Sequence, residues 1–522
     1  MGIPVAWIVL GGIAFLVIGY LTYGEWIKNL YGVDPSREPP SKRLYDGKDF
    51  VPAKSWIVLF GHHFASIAGA GPIVGPTLAL LYWGWLPALL WILIGSVFMG
   101  GVHDLGALMV SLRNDATSIS ENSRRYISER ARIVFSLFVW FALVLIIAVF
   151  AHYAANSYVK DPHIVWPSLG LIPVALIFGL LTYRLGLGML PATLITVVLM
   201  LLLIPLGEMM PIETSYAVWM VALFAYAYVA SLIPVQYLLQ PRDYLSAYLL
   251  IGGMALMLVG ALTSGRVLNV PPLIRESSAP FPFIPFLFVT IACGAISGFH
   301  SLIASGTTAK QLPSERYAKR IGYGGMLMEG ALALLVVAAV GSLASGFDVK
   351  NPIGTFGKGV ANITPFLGKY GGYFAILVLN AFILTTLDTA TRIARYITEE
   401  LFRIRNMYLS SAVVVGVAAL IILGGQAGRL WTVFGAANQL LAALALLVIT
   451  GFLMSMKRNP LPAMIPGIFM LLITLSALTY QINVLLASEN PNYVAIVFAG
   501  ILLLLGIFVG GEAVYRWMRR RA

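Results

Sequence analysis

Stretches of about twenty apolar residues follow one another along almost the whole chain, and they constrain its fold more than any other feature. A helix needs about 20 such residues to cross the hydrocarbon core of a bilayer. Hydropathy along the 522 residues predicts about fifteen such spans. Their predicted bounds are 4–24, 54–80, 85–111, 131–156, 168–184, 187–207, 215–238, 244–263, 282–306, 317–346, 370–402, 407–425, 431–455, 462–487 and 492–516. The predicted fold class is an all-α integral membrane protein.

The low charge content excludes several classes of soluble protein. Charged residues make up only 11% of the chain, against about 25% in a typical soluble domain. The 59% hydrophobic content is also incompatible with a disordered chain. We find no nucleophile–base arrangement and no nucleotide-binding loop, so we do not expect an enzyme. No HxxxH or HExxH spacing indicates a metal site, and no cofactor is expected beyond a coupling ion.

The basic residues predict how the chain crosses the membrane. If the N-terminus lies outside and the spans alternate, 27 of the 34 Lys and Arg residues fall on the inner side. This bias is the positive-inside pattern, and it predicts a multi-pass membrane protein with its C-terminus inside. The net charge of +12 then reflects topology, and we expect the lipid bilayer and a small solute as partners, not nucleic acid. The polar segments are short, so residues 1–522 are predicted to form a single membrane domain, with a short helix after the capping-box residues Ser118 and Glu121.

The span 54–80 contains a dense group of helix-breaking residues, GAGPIVGP at 69–76. Proline removes a backbone donor and clashes with the preceding turn, so this run predicts an unwound segment. Unwound backbone inside a membrane is found where it lines a cavity, and in transporters such segments bind the substrate. The alternative is a simple kink packed through small residues. The predicted substrate-binding residues here are Gly69, Ala70, Gly71, Pro72 and Gly75.

A second predicted break lies around Pro234, and a third candidate is the small-residue run at 292–308. Ser231, Pro234 and Gln236 are assigned to the substrate site with the first break. The breaks at 69–76 and 231–236 are five spans apart, which predicts two halves of opposite orientation. In this interpretation 54–207 is the first five-helix repeat, 215–402 is its inverted partner, and 407–522 holds additional helices.

Ionisable residues within the spans are candidates for binding a coupling ion, because buried charge is costly and usually functional. Asp388 is surrounded by threonines, and Glu329 has no nearby partner in sequence. Histidine carries protons near neutral pH. The predicted coupling set is Asp388, Glu329, His62, His63, Thr385, Thr389 and Ser297. Structural alternatives remain open: Asp388 as a partner of Arg392, and Asp104 in an ion pair with a neighbouring helix.

Several long motifs resemble the carbon starvation protein A family. They are GHHFASIAGAGPIVGP (61–76), LLQPRDYLS (238–246), IACGAISGFHSLIASGTT (291–308), IGYGGMLMEG (321–330), LTTLDTATRIARY (384–396) and FGAANQLLAALAL (434–446). The resemblance implies an inner-membrane transporter of small peptides or pyruvate. It also implies a relation to the amino-acid/polyamine/organocation superfamily, whose LeuT-like core is a five-plus-five inverted repeat.

The leading hypothesis is a secondary active importer of a small carboxylate-bearing nutrient, either pyruvate or a small peptide, coupled to protons. The alternatives are a passive channel for small organic anions and a sodium-coupled symporter of amino acids or peptides. Oxygen-rich side chains at 297–308 would suit sodium, whereas histidines and mid-span carboxylates favour a proton.

Overall fold

The chain is almost entirely helical, as the apolar stretches predict. The structure is a computed structural model that describes residues 2–368, 370–423, 431–488 and 493–521. Among these residues, Pro4 and Val267 form an isolated antiparallel β-bridge. The helices are α1 Val5–Leu21, α2 Tyr23–Leu30, α3 Pro40–Arg43, α4 Trp56–Ile67, α5 Gly71–Trp83, α6 Trp85–Gly95, α7 Gly101–Leu112, α8 Ile119–Tyr126, α9 Glu129–Lys160, α10 Val165–Leu169, α11 Leu171–Gly179, α12 Met189–Met209, α13 Tyr216–Leu232, α14 Leu239–Thr263, α15 Phe283–Thr290, α16 Gly298–Ile303, α17 Ala318–Gly341, α18 Pro352–Ile363, α19 Tyr370–Phe402, α20 Met407–Leu423, α21 Trp431–Ser455, α22 Leu461–Ala487 and α23 Tyr493–Arg521.

Within the described ranges, ten helices are long and apolar enough to cross a membrane, and the number rises to as many as twelve when two bent pairs are added as single spans. The bent pairs are α4 with α5, at 44°, and the second half of α19 with α20, at 111°. These correspond to thirteen of the predicted spans, because the pair of α19 and α20 covers both 370–402 and 407–425. The described residues thus hold up to twelve spans, whereas the sequence predicts about fifteen. The other two differ from the expectation of continuous spans: 215–238 yields a 17-residue helix, α13, and 282–306 is divided into α15 and α16. Residues 424–425 and 492 of the predicted spans lie outside the described residues.

The core lies around α17, which is buried along almost its entire length. It packs against α1, α4, α5, α7 and α18. On another side α19 packs against α9, and α14 packs against α4. The peripheral helices α1, α12, α22 and α23 expose large apolar side chains such as Trp7, Leu190 and Leu504, as expected of surfaces that face lipid.

Candidate functional site

The first helix break occurs where the sequence predicts it. Helix α4 ends at Ile67 and α5 begins at Gly71, with a bend of 44° between them. The carbonyl of Ala70 accepts hydrogen bonds from the amides of Ile73 and Val74 at 3.2 and 2.9 Å, and so starts α5. Pro72 stands in the first turn of α5, where its missing N–H costs nothing.

The second break lies between α15 and α16, in the run that the sequence marks as a third candidate. Residues 291–297 are not helical, and Gly294 has φ +90°, a conformation that favours glycine. The first turn of α16 is fixed by Asn438 of α21, whose Oδ1 accepts from the amide of Phe299 at 2.8 Å. The amide nitrogen of Asn438 donates to Ser297 at 3.0 Å.

The two breaks lie directly against each other, and glycines permit the contact. A Cβ atom at Gly71 would lie 2.5 Å from the Cys293 Sγ. A Cβ atom at Gly75 would lie 2.4 Å from the carbonyl oxygen of Thr290. Both distances are shorter than any van der Waals contact, so these glycines hold α5 against the second broken segment.

A cavity of about 340 Å³ lies between the two breaks. Its walls include Gly69, Ala70, Gly71 and Gly75 from the first break and Cys293 from the second. Thr386, Asn438 and Gln481 add polar groups, and none of the described lining residues is charged. The cavity extends to Tyr82, Phe281 and Val349, at the end that the charge pattern predicts to face outward.

Ser231, Pro234 and Gln236 do not lie in this cavity. The Ser231 hydroxyl donates to Ser411 at 2.9 Å, and the Gln236 amide donates to the carbonyl of Gly47 at 3.0 Å. The break at 233–238 therefore packs against the loop before α4. The segment that shares the cavity wall with the first break is thus 291–297, and not 231–236, which the sequence-based prediction assigns to the same site.

Asp388 belongs to a buried network centred on Arg242. One guanidinium nitrogen of Arg242 lies 2.6 Å from Asp388 and the other lies 2.7 Å from Asp243. Asp243 in turn lies 2.6 Å from the Nδ1 atom of His62. The partner of Asp388 is thus Arg242 and not Arg392, since Arg242 is drawn into the bundle by the first turn of α14.

The threonines predicted to flank Asp388 contribute at the edge of this network. The carbonyl of Thr385 accepts from Arg242 at 3.4 Å, and the Thr389 hydroxyl lies 3.4 Å from that of Ser66. Ser66 also donates to Asp243 at 3.3 Å. These residues join α4, α14 and α19 through buried polar contacts.

Arg392 makes a separate cluster at the predicted inner side. It donates to the carbonyls of Ala230 and Ile233, both at 2.6 Å, and lies 3.2 Å from Asp49. Asp49 also accepts from Arg395 at 2.9 Å and from Tyr396 at 2.9 Å. Burial opposes ionisation of Asp49, but Arg395 and Arg392 outweigh it and hold its pKa well below the usual range.

A second buried network contains Glu329. The Nδ1 atom of His103 lies 2.7 Å from Asp104, and Asp104 lies 2.9 Å from the Nδ1 atom of His300. The Nε2 atom of His300 lies 3.2 Å from Glu329, close enough for an ion pair although not aligned as a hydrogen bond. All four side chains are fully buried. The expected pairing of Asp104 with a neighbouring element therefore occurs, through His300.

His63 and Ser297 each lie beside this second network. The Nδ1 atom of His63 lies 2.9 Å from the Thr308 hydroxyl, whereas His62 faces the Arg242 network. Ser297 contacts Asn438 and lies 3.4 Å from the thiol of Cys293. The predicted coupling residues are thus divided between two networks. The Sγ atom of Cys293, the ring of His300 and the carboxylate of Glu329 lie within 4.8 Å of one another.

Sequence reasoning missed Arg242 and Asp243 because it placed them in an inner loop ahead of a span at 244–263. The helical pattern of the span 244–263 could have revealed these two residues. Extending that span back by one turn places both residues on a helix whose start is Leu239. A buried Arg–Asp pair inside a membrane helix is a strong indication of a polar network.

The structure defines a multi-helix membrane protein with a solute-sized cavity between two broken helices. Comparison with known proteins agrees: a family model described as carbon starvation protein CstA matches residues 4–372 and 344–477. The chain belongs to this family, and it is a membrane transporter.

Characterised relatives cover nearly the whole chain. The peptide transporter CstA of Helicobacter pylori is 33% identical over 90% of this chain and 80% of its own. The peptide transporter CstA of Bacillus subtilis is 30% identical over 98% of this chain and 96% of its own. The pyruvate/proton symporter BtsT of Escherichia coli is 29% identical over 94% of this chain and 83% of its own. A solved manganese transporter from Eremococcus coleocola covers 92% of this chain and 99% of its own with a TM-score of 0.47 and 14% identity.

Proposed function

We propose that this protein is a secondary active importer of a small carboxylate-bearing nutrient in the cytoplasmic membrane, coupled to protons. The observation that carries the proposal is the cavity between the two broken helices. Broken helices that meet in a cavity are the usual substrate site of secondary transporters. The names of two groups of relatives, peptide transporters and a pyruvate/proton symporter, support the same class of solute.

The start of α5 suits a carboxylate. The first turn of a helix offers N–H groups that no carbonyl of the same helix accepts, and it carries a partial positive charge. At Gly71 this turn borders the cavity, where the missing side chain makes room for Cys293 and brings the helix start to the cavity wall. Gly69, Ala70 and Gly75 line the same wall, whereas Pro72 is not among the lining residues.

The cavity favours pyruvate over a peptide. Its 340 Å³ lies near the lower end of the roughly 300–1,000 Å³ typical of small-molecule sites. A peptide brings an ammonium group that needs a carboxylate, whereas none of the described lining residues is charged. A monocarboxylate of a few heavy atoms needs only the helix start and hydroxyl or amide groups such as those of Thr386 and Asn438.

We also propose an inverted repeat whose halves begin at the broken pairs α4–α5 and α15–α16. The predicted spans 54–80 and 282–306 are seven spans apart. An odd separation makes the two helices cross the membrane in opposite directions, as in inverted-repeat transporters. In the proposed orientation the N-terminus lies outside and the C-terminus inside, which follows the positive-inside pattern.

Uptake into proteoliposomes tests the proposal. We expect labelled pyruvate to accumulate above its external concentration when an inward proton gradient is imposed, and to equilibrate only when the gradient is absent. Accumulation of a dipeptide but not of pyruvate would show that the substrate is a peptide. Accumulation under a sodium gradient alone would show that sodium, and not a proton, is the coupling ion. Equilibration without accumulation under every gradient would indicate a channel.

A further inference from the structure

We propose that the coupling proton binds at the His300–Glu329 pair, with Asp104 and His103 behind it, and that the Asp388 network is structural. This inference rests on the proposed function and names the residues that carry its coupling. It assigns different roles to the Asp388 network and the Glu329 network, each of which contains two buried carboxylates.

The two networks differ in the kind of cation that balances their carboxylates. Asp388 and Asp243 share the guanidinium of Arg242, with distances of 2.6 and 2.7 Å. Arginine does not lose its proton in proteins, so a fixed charge holds both carboxylates ionised. A carboxylate beside a permanent cation is poorly suited to bind and release a proton at each transport step.

The Glu329 network contains titratable groups alone. The groups that face His300 and Glu329 are Asp104 and His103 on α7, His63 on α4, and Cys293 in the second break. No Lys or Arg is among the described partners of these side chains. With both histidines neutral and both carboxylates ionised the network carries two buried negative charges, and each bound proton removes one of them. Its charge is therefore set by proton binding, because no fixed cation is present.

The same network is the one that reaches the cavity. Cys293 lines the cavity and its thiol lies within 4.8 Å of ligand atoms of both His300 and Glu329. Neither carboxylate oxygen of Glu329 has an aligned hydrogen-bond donor, although the side chain is fully buried. His300 is its partner at 3.2 Å and is charged only when protonated, so an ionised Glu329 has no fixed counter-charge. A buried carboxylate without a counter-charge is costly, and a proton bound at this pair removes that cost. A solute at the first turn of α5 would thus lie one side chain away from the proton site.

The test compares Glu329→Gln with Asp388→Asn in proteoliposomes. Each change replaces one carboxylate by the amide of the same size. For Glu329→Gln we expect exchange of labelled against unlabelled pyruvate to persist, while accumulation under an inward proton gradient falls to a ratio of one. Asp388→Asn is expected to keep gradient-driven accumulation if it folds, and Glu512→Gln, on the peripheral helix α23, serves as the matched control. Accumulation by Glu329→Gln at the wild-type ratio would overturn the proposal.

A second measurement does not depend on transport. Infrared difference spectra of the purified protein, recorded while pH is varied, report the C=O stretch of a protonated buried carboxyl. We expect such a band in the wild type and in Asp388→Asn, and its loss in Glu329→Gln. A band that survives in Glu329→Gln would contradict the assignment.

Two further outcomes concern the wild type. Loss of wild-type transport on chelation, with a transition metal retained by the purified protein, would identify Cys293, His300 and Glu329 as a metal site instead. Failure of the wild type to accumulate any solute under a proton gradient would sink the proposed function itself.

Discussion

At the scale of single residues, the contact between Gly71 and Cys293 decides how closely the two breaks approach. A methyl group at Gly71 would lie 2.5 Å from the thiol sulfur and 2.6 Å from the Cβ atom of Cys293. Gly71 has an ordinary negative φ, so the backbone itself does not require glycine. The requirement is space at the cavity wall.

Gly71→Ala is therefore expected to reduce pyruvate uptake at least tenfold, because the added methyl group displaces the wall of the cavity. Cys293→Gly removes both atoms that the methyl group meets, so the double variant Gly71→Ala/Cys293→Gly is expected to recover much of the loss. Initial rates of uptake in proteoliposomes measure both effects. Equal defects in the single and the double variant would show that the contact does not control the cavity.

At the scale of elements, Asp49 ties the loop before α4 to the inner half of α19. Its carboxylate meets Arg392, Arg395 and Tyr396, and Arg392 in turn holds the carbonyl end of α13. This cluster closes the bundle on the predicted inner side, while the cavity extends toward the predicted outer side. In the proposed orientation this arrangement is that of an outward-facing state, in which the inner side must open for release.

Asp49→Asn is expected to lower the free energy of unfolding by about 3 kcal/mol, because it leaves the buried guanidinium of Arg392 without its counter-charge and leaves Arg395 with Glu399 alone. Thermal unfolding in detergent measures the change. The matched control is Asp115→Asn, which breaks an exposed pair with Arg43 and is expected to cost at most about 1 kcal/mol. Equal effects of the two substitutions would show that the Asp49 cluster does not hold the inner side of the bundle together.

The pH dependence of this cluster follows from the lowered pKa of Asp49. A carboxyl group whose pKa is lower in the folded state stabilises the protein above its unfolded pKa, about 3.9. That stabilisation is lost only as pH falls through the lower pKa of the folded state. The difference in melting temperature between wild type and Asp49→Asn should thus stay constant from about pH 5 to pH 8.

The sequence predicts the elements better than their partners. The break at 69–76 follows from glycine and proline, which act locally. The partner of Asp388 could not be predicted, since Arg242 is 146 positions away and hydropathy assigns it to a loop. The same limit applies to the breaks: spacing pairs 69–76 with 231–236, whereas contact through Gly71 and Gly75 pairs it with 290–297.

At the scale of the whole molecule, the cavity joins the two broken helices and extends to Tyr82, Phe281 and Val349. The positive-inside pattern predicts that these residues face outward. The central claim is that this cavity is the substrate site and that it opens to the outside. Cys293, the single cysteine of the chain, lies in its wall and provides a natural probe.

The most direct measurement is alkylation of Cys293 by a small membrane-impermeant maleimide, added to the outside of right-side-out vesicles with and without pyruvate. The account predicts labelling that pyruvate slows in proportion to occupancy, and no labelling of the Cys293→Ser variant. If a dipeptide protects Cys293 from alkylation and pyruvate does not, the cavity is still the substrate site but the substrate is a peptide. Labelling at the same rate at saturating concentrations of every solute that the protein transports would contradict the claim that this cavity binds the substrate.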